Sequence, residues 1–230
     1  MISILQQIKT ATFNFNQEAE KYGLEGDLLT KGLIKITNNM NERWGGQYPD
    51  SFGSLLQGFR AQTLVAMLRG WNPLDYIKEL PYGRADEFDF ILKDSRRLDV
   101  KAKNGKKRKY ARDDWDIGLF AVKKKSDVYL IVYYWDDYPD DFTLLGWIDG
   151  IHFQRFFVPK NDWARLKKLS NYPPKDFGHR DDGWILHGKD LNPPLEILSL
   201  IKIPKKSFEV NQAFASSTDL ELPEKQRKLF

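Results

Sequence analysis

Asp89 and Asp99 are separated by a short turn-like segment, and Lys101 follows the second acid at i+2 within DEFDFILKDSRRLDVKAK, residues 86–103. If the chain reverses near Lys93 to Arg96, a β-hairpin brings the two carboxylates together at one end or across one face of a sheet. Carboxylates that close repel each other unless a cation lies between them, and hard oxygen ligands favour Mg²⁺ or Mn²⁺. Lys101 has the same strand parity as Asp99, so its ammonium projects from the same face and can reach a water beside such an ion. Metal-assisted hydrolysis is the chemistry this set could perform. Glu87 shares the parity of Asp89 and is a reserve carboxylate, whereas Asp86 has the opposite parity. The rival reading of the same hairpin is a solvated edge with weak cross-strand ion pairs, and the surrounding elements decide between the two.

Those elements read as follows. Leu29, Leu33, Ile36, Met40 and Trp44 form the apolar stripe of a helix over residues 27–44, stopped by Gly45-Gly46. Residues 52–69 are apolar around most of a helical circumference, with Gly70 as C-cap. Strands are expected at about 75–80, 87–92 and 97–103, followed by a connecting segment that could be helical. The stretch 127–135, DVYLIVYYW, is apolar on both faces and suits a central strand covered on both sides. Its neighbour is 142–148, with a short helix at 161–169 and an extended tail over 205–230. The sum is an α/β core with a mixed sheet.

A second feature adjoins the acids. Between Arg96 and Arg112 the only acid is Asp99, while the bases include Lys103, Lys106, Lys107, Arg108, Lys109 and Arg112. This run follows Lys101 directly and is placed to hold phosphates flanking a scissile one, with Lys123 to Lys125 extending the surface. Taken alone it would read as a solvated loop; its adjacency to the acidic pair favours DNA as partner. Tyr110 and Trp115 beside it could stack on bases or sugars.

Composition removes other classes. The 230 residues contain no cysteine, which excludes disulfides, thiolate metal sites and cysteine nucleophiles, and makes a reducing cytoplasm the simplest setting. Hydrophobic residues at 41% and aromatics at 14% can build a sizeable core, and no run is long enough for a spanning helix or reads as a secretory signal. A net charge of +4 is too small to argue a nucleic-acid partner without the clustering just described. His152, His179 and His187 have no metal-ligand spacing and read as structural or surface residues. Neither a Walker loop nor GxGxxG occurs, so no nucleotide cofactor is expected.

The ordered set GFRAQTLVAMLRGW, Asp89-Phe90-Ile91, Leu98-Asp99-Val100-Lys101 and DVYLIVYYW resembles the PD-(D/E)xK nuclease superfamily, with the restriction-endonuclease-like fold, over about residues 55–148. The resemblance implies that Asp89 and Asp99 bind Mg²⁺, with Mn²⁺ as a substitute. It further implies that the Val100 carbonyl adds a ligand and that Lys101 orients or activates water for in-line attack on a phosphodiester. Many members carry a Glu on the first core helix; this chain has Gln62, a neutral ligand or a donor to water, and the departure bears on a second metal. The implied organisation is one nuclease domain over 1–204, with a helical elaboration at 1–50 and a catalytic core at 51–158. The implied activity is restriction-type, sequence-specific double-strand cleavage by a homodimer, since symmetric cutting takes two active sites. A Holliday-junction resolvase or mobile-element nuclease of the same fold is the alternative, and an inactive DNA-binding module the rival from another class.

Overall fold

Local signals set most of the boundaries in the computed structural model, which describes residues 3–43, 52–80, 88–113, 117–120, 126–159, 162 and 183–203. The described residues divide into two compact units, one drawn from 1–14 and 87–202, the other from 15–86 and 203 onward. The helices between residues 15 and 43 therefore group with the helix expected to open the catalytic core, and the division does not fall at residue 50.

Every element described in the second unit is a helix. That unit contains α2 (Phe15–Glu20), α3 (Gly26–Arg43), α4 (Phe52–Arg69) and α5 (Pro73–Glu79), with α1 (Ile4–Thr10) belonging to the other unit. Leu29, Leu33 and Ile36 of the expected stripe are buried on α3, and α4 buries every residue from Phe59 to Met67 except Gln62. At the end of α4, Gly70 adopts φ +91°, and the amides of Gly70 and Trp71 donate to Met67 O and Ala66 O at 2.8 and 2.9 Å. That bond pair is a Schellman stop, which needs a residue free to be left-handed.

One expectation fails here. Residues 75–80 are not a strand; they lie in or just after α5. The Asn72 side chain accepts the Leu74 amide at 2.9 Å and Pro73 fills the first helical turn, so the Asn-Pro start outweighs the β-prone Tyr76 and Ile77.

The first unit is α/β. Its main sheet has five strands in the order β1-β6-β5-β3-β2, where β1 is Thr12–Asn14, β2 Phe90–Ile91, β3 Arg97–Asn104, β5 Val128–Tyr134 and β6 Asp141–Asp149. β3 and β5 are parallel and every other pairing is antiparallel, so the sheet is mixed as expected. A second antiparallel sheet, β4-β8-β7, contains β4 (Ile117–Phe120), β7 (Phe157–Val158) and β8 (Gly183–Leu186) and was not foreseen. The described part of the β3-to-β5 connection holds a 3-10 turn at Arg108–Tyr110 and β4, not a helix. Helices α1, α6 (Gly150–Phe153) and α7 (Pro194–Leu200) pack on the main sheet.

β5 is buried on both faces along almost its whole length, as its sequence requires. Tyr129, Ile131 and Tyr133 from one face join Ile4, Leu119, Phe153, Trp184 and Leu186 in the apolar layer between the two sheets. No described helix is long and apolar enough to cross a membrane. Residue 162 apart, the region 161–169, the tail from 205, Glu87, Asp86, His179, Trp115 and Lys123 to Lys125 lie outside the described residues.

Candidate active site

The hairpin that carries the acids is closed by a tight loop. Leu92 N donates to Arg96 O at 2.8 Å, Ser95 N donates to Leu92 O at 2.9 Å, and Ser95 takes φ +70°. The Asp94 carboxylate caps this loop by accepting the Arg96 amide at 3.1 Å. A three-residue hairpin loop with its last residue left-handed fixes the register, here Phe90 with Leu98 and Ile91 with Arg97.

That register sets Asp89 beside Asp99. The Asp89 amide donates to Leu98 O at 2.9 Å, and its carboxylate Oδ2 accepts the Val100 amide at 2.6 Å. β2 is only two residues long, so Val100 points its amide past the end of β2, and the Asp89 side chain continues the ladder there. A strand residue directs its N–H and C=O to the same side, so the Val100 carbonyl faces this edge too.

Asp99 is 6% exposed on the sheet face that bears the intersheet layer. Lys101 Nζ lies 2.6 Å from Asp99 Oδ2, with the lysine side chain 27% exposed and the Asp99 side chain 9%. The Asp89 carboxyl is held well above the ordinary carboxyl range. Desolvation is the main cause and the negative charge of Asp99 the next; the Val100 amide and Lys101 oppose them, and a hydrogen bond between the two carboxyl groups adds to the rise. Two acids set side by side in a partly desolvated place repel each other, and a cation can relieve them.

The chemistry of the donor set fits an oxygen-liganded Mg²⁺ or Mn²⁺, with two carboxylates and one carbonyl converging on an edge. Among the described residues no cluster of three or more His, Cys, Asp or Glu side chains could hold a metal. Water and phosphate oxygens would complete the shell, which is the usual habit of Mg²⁺.

Sequence reasoning missed one residue of this site. Tyr129 is the register partner of Asp99 in the parallel β3-β5 ladder and is fully buried, with its hydroxyl accepting the Ser126 amide at 3.0 Å. Its hydroxyl is held above the usual range by burial, with Asp99 adding to the rise against the Ser126 bond. Its ring packs on Phe153 at 4.4 Å between centroids, so the acids stand over a wall of aromatic carbon. Only the pairing of β3 with β5 reveals this, since DVYLIVYYW alone reads as core.

The remaining candidates separate. Gln62 lies on α4 in the helical unit, with its Oε1 3.5 Å from Tyr76 Oη. Lys103 is half-buried on β3, while Lys106, Lys107, Lys109 and Arg112 are exposed beyond its end. Arg108 is engaged by the fold: its guanidinium bonds Asp141 at 2.8 Å and lies 3.8 Å over the Tyr138 ring, and its amide donates to Asp137 at 3.0 Å.

At the opposite end of β3 a cleft of about 570 Å³ is lined by Arg96, Arg97, Asp127, Asp149 and His152. Both arginines are neutralised there, Arg96 by Asp149 at 2.7 Å and Arg97 by Asp127 at 3.1 Å. His152 sits at the surface 3.9 Å from Asp149.

No family model, curated protein or solved structure matches this chain.

Proposed function

We propose that this protein is a metal-dependent DNA endonuclease of the PD-(D/E)xK kind. The observation that carries the reading is the meeting of three groups at one end of a hairpin: the register sets Asp89 beside Asp99, with Asp89 Oδ2 accepting the Val100 amide at 2.6 Å, and Lys101 Nζ lies 2.6 Å from Asp99. A structural ion pair needs one acid and one base, so the second, desolvated carboxyl is surplus to stability and calls for another purpose.

In this reading Asp89, Asp99 and the Val100 carbonyl hold Mg²⁺ or Mn²⁺, which when bound supplies positive charge to a phosphoryl oxygen and to the leaving 3′ oxygen. Lys101 has three donors and only one partner within the acid pair, so it can turn a proton toward a water and hold it in line with the phosphorus. The wall of Tyr129 keeps bulk solvent from the rear of the acids, which strengthens every charge interaction at the front. Lys103, two residues along the same face, is placed to neutralise the next phosphate of the strand.

The test is cleavage of plain duplex, branched and single-stranded DNA by purified protein with Mg²⁺ or Mn²⁺. Lys101→Ala is expected to lower the rate by about 10²- to 10⁴-fold, the usual worth of a positioned proton-handling group, while leaving DNA binding in place. Discrete fragments from unbranched duplex point to a restriction-type homodimer, and cutting confined to branched substrates points to a resolvase or mobile-element nuclease. Binding without cutting by the wild type would replace the enzyme with a DNA-binding module.

A further inference from the structure

Beyond the end of β3 the chain forms a loop that is fixed in place and carries three lysines in no ion pair with a described acid. Gly105 donates its amide to Tyr134 O at 2.8 Å, and a Cβ at this position would lie 2.6 Å from the Trp135 ring, so only glycine lets the loop approach so closely. Asn104 Nδ2 donates to Asp136 at 2.8 Å, the Asp136 amide donates to Lys106 O at 2.9 Å, and Lys106 takes φ +57°. Asp137 and Asp141 are occupied by the amide and guanidinium of Arg108.

These three acids are thus spent on the loop's own frame. Lys106, Lys107 and Lys109 remain exposed and in no ion pair among the described residues. Tyr110 stands among them with 61% of its surface exposed, the Lys109 ammonium 4.9 Å from its ring centroid. A framed loop offering an exposed ring, with an ammonium over one face and the other face left for stacking, has the two elements of a platform for an unpaired nucleotide, a stacking face and charge for the adjoining phosphate.

Duplex DNA fits this surface less well. Its bases hide their faces in the helix, so Tyr110 would gain nothing from them, and a duplex footprint spreads phosphate contacts over a broad basic area. Here the cations cluster on one tight turn beside Asp136 and Asp137, a small footprint that suits one strand better than two. The loop also continues the line of Asp99, Lys101 and Lys103 along β3, roughly 17 Å beyond Asp99 at the extended rise of a strand, a span of a few nucleotides.

We infer that Tyr110, with Lys106, Lys107 and Lys109, binds unpaired nucleotides of the DNA strand that lies across the acid pair, so that the substrate is DNA containing a single-stranded stretch. This rests on the nuclease reading above and narrows its substrate.

The experiment measures binding of the full-length protein in EDTA, where no cleavage interferes, to a labelled single-stranded oligonucleotide and to a blunt duplex of equal length. Wild type is expected to prefer the single strand. Tyr110→Ala should weaken single-strand binding by about tenfold, the worth of one base stack, leave duplex binding unchanged, and be restored by Tyr110→Phe. Equal losses on both probes, no loss on either, or a wild-type preference for duplex would overturn the inference. An unchanged melting temperature in Tyr110→Ala excludes unfolding as the cause. The two readings fail separately: Tyr110-dependent single-strand binding with no cleavage on any substrate removes the nuclease and keeps the platform. Cleavage that depends on Lys101 with no Tyr110 effect does the reverse.

Discussion

Two carboxylates flank β3, and each accepts a main-chain amide from it, yet they are held in opposite ways. Asp127, just before β5, accepts the Arg97 amide at 2.8 Å; Asp89, just before β2, accepts the Val100 amide at 2.6 Å. Asp127 also takes the Arg97 guanidinium in partial solvent, and that bond, with the amide, keeps its carboxyl below the usual range. Asp89 is half-buried beside the buried Asp99, and partial desolvation with that second negative charge sends it the other way. One hydrogen bond thus gives no information about role. What separates a fastener from a candidate catalytic group is the next neighbour: a cation at the surface for one, a second acid in the interior for the other.

The largest expected effect tests that separation directly. Asp89→Asn keeps an acceptor for the Val100 amide but removes half of the carboxylate pair, and cleavage should fall by at least about 10³-fold, since both a ligand and its charge are lost. Asp127→Asn should cut at close to the wild-type rate. A comparable loss in the two variants, read as initial rates on one substrate, would erase the distinction.

Stability against pH should show the contrast with opposite signs. The folded state holds a proton on the Asp89 pair more tightly than the unfolded chain, whose Asp value is about 3.9. Between that value and the raised one the native state binds more protons, so stability from this group falls as pH rises through the window and is greatest below it. Asp127 has a depressed value, so its contribution is complete above about pH 4 and is lost as pH falls through the folded value. Asp89→Asn mimics the protonated form and should therefore raise the melting temperature at pH 8, by about 3 °C if it is worth about 1 kcal/mol, and flatten the decline above pH 4. Thermal melts from pH 4 to 9 measure this, and a variant less stable than wild type at pH 8 would contradict the assignment.

Adding Mg²⁺ or Mn²⁺ sharpens the same point from the other side. A ligand present at a hundred times its dissociation constant stabilises by about 2.7 kcal/mol, roughly 5–10 °C for a chain of this size. The rise should be larger at pH 8 than at pH 5, because ion and proton compete for one pair, and absent in Asp89→Asn. An equal rise in that variant would place the ion elsewhere.

Much of this was legible before any coordinates because it is local. The apolar stripe of α3, the Gly70 stop of α4, the double-faced β5 and the Lys93 to Arg96 turn are each decided by neighbouring residues, and the turn alone brings Asp89 to Asp99. Lys101 followed from strand parity. What stayed hidden depends on pairing across long stretches of chain. The partnership of Tyr129 with Asp99 needs the parallel register of β3 and β5, and the small sheet needs β8 to find β4 over more than sixty residues. The engagement of Arg108 by Asp141 was equally invisible, and a count of basic residues credits it with a phosphate it has little freedom to meet. The helix α5, expected as a strand, is different: its Asn-Pro start was present in the sequence and outweighs the β-prone Tyr76 and Ile77.

The smallest expected effect concerns Arg97 itself. Its side chain is 37% exposed and that of Asp127 40%, so the pair gains little over solvated charges and is screened by salt. Arg97→Gln should cost no more than about 0.5–1 kcal/mol at low salt and less at high salt, seen as a shift of at most about 2–4 °C. The same variant leaves Asp127 in the cleft without its cation, so the net charge there becomes more negative. DNA binding should weaken slightly and uniformly across substrates, with no change in the single-strand preference that Tyr110 sets. If Arg97→Gln instead removed cleavage while leaving stability intact, Arg97 would belong with Lys101 and Lys103 among the groups that meet the substrate, and the boundary drawn between the two ends of β3 would move.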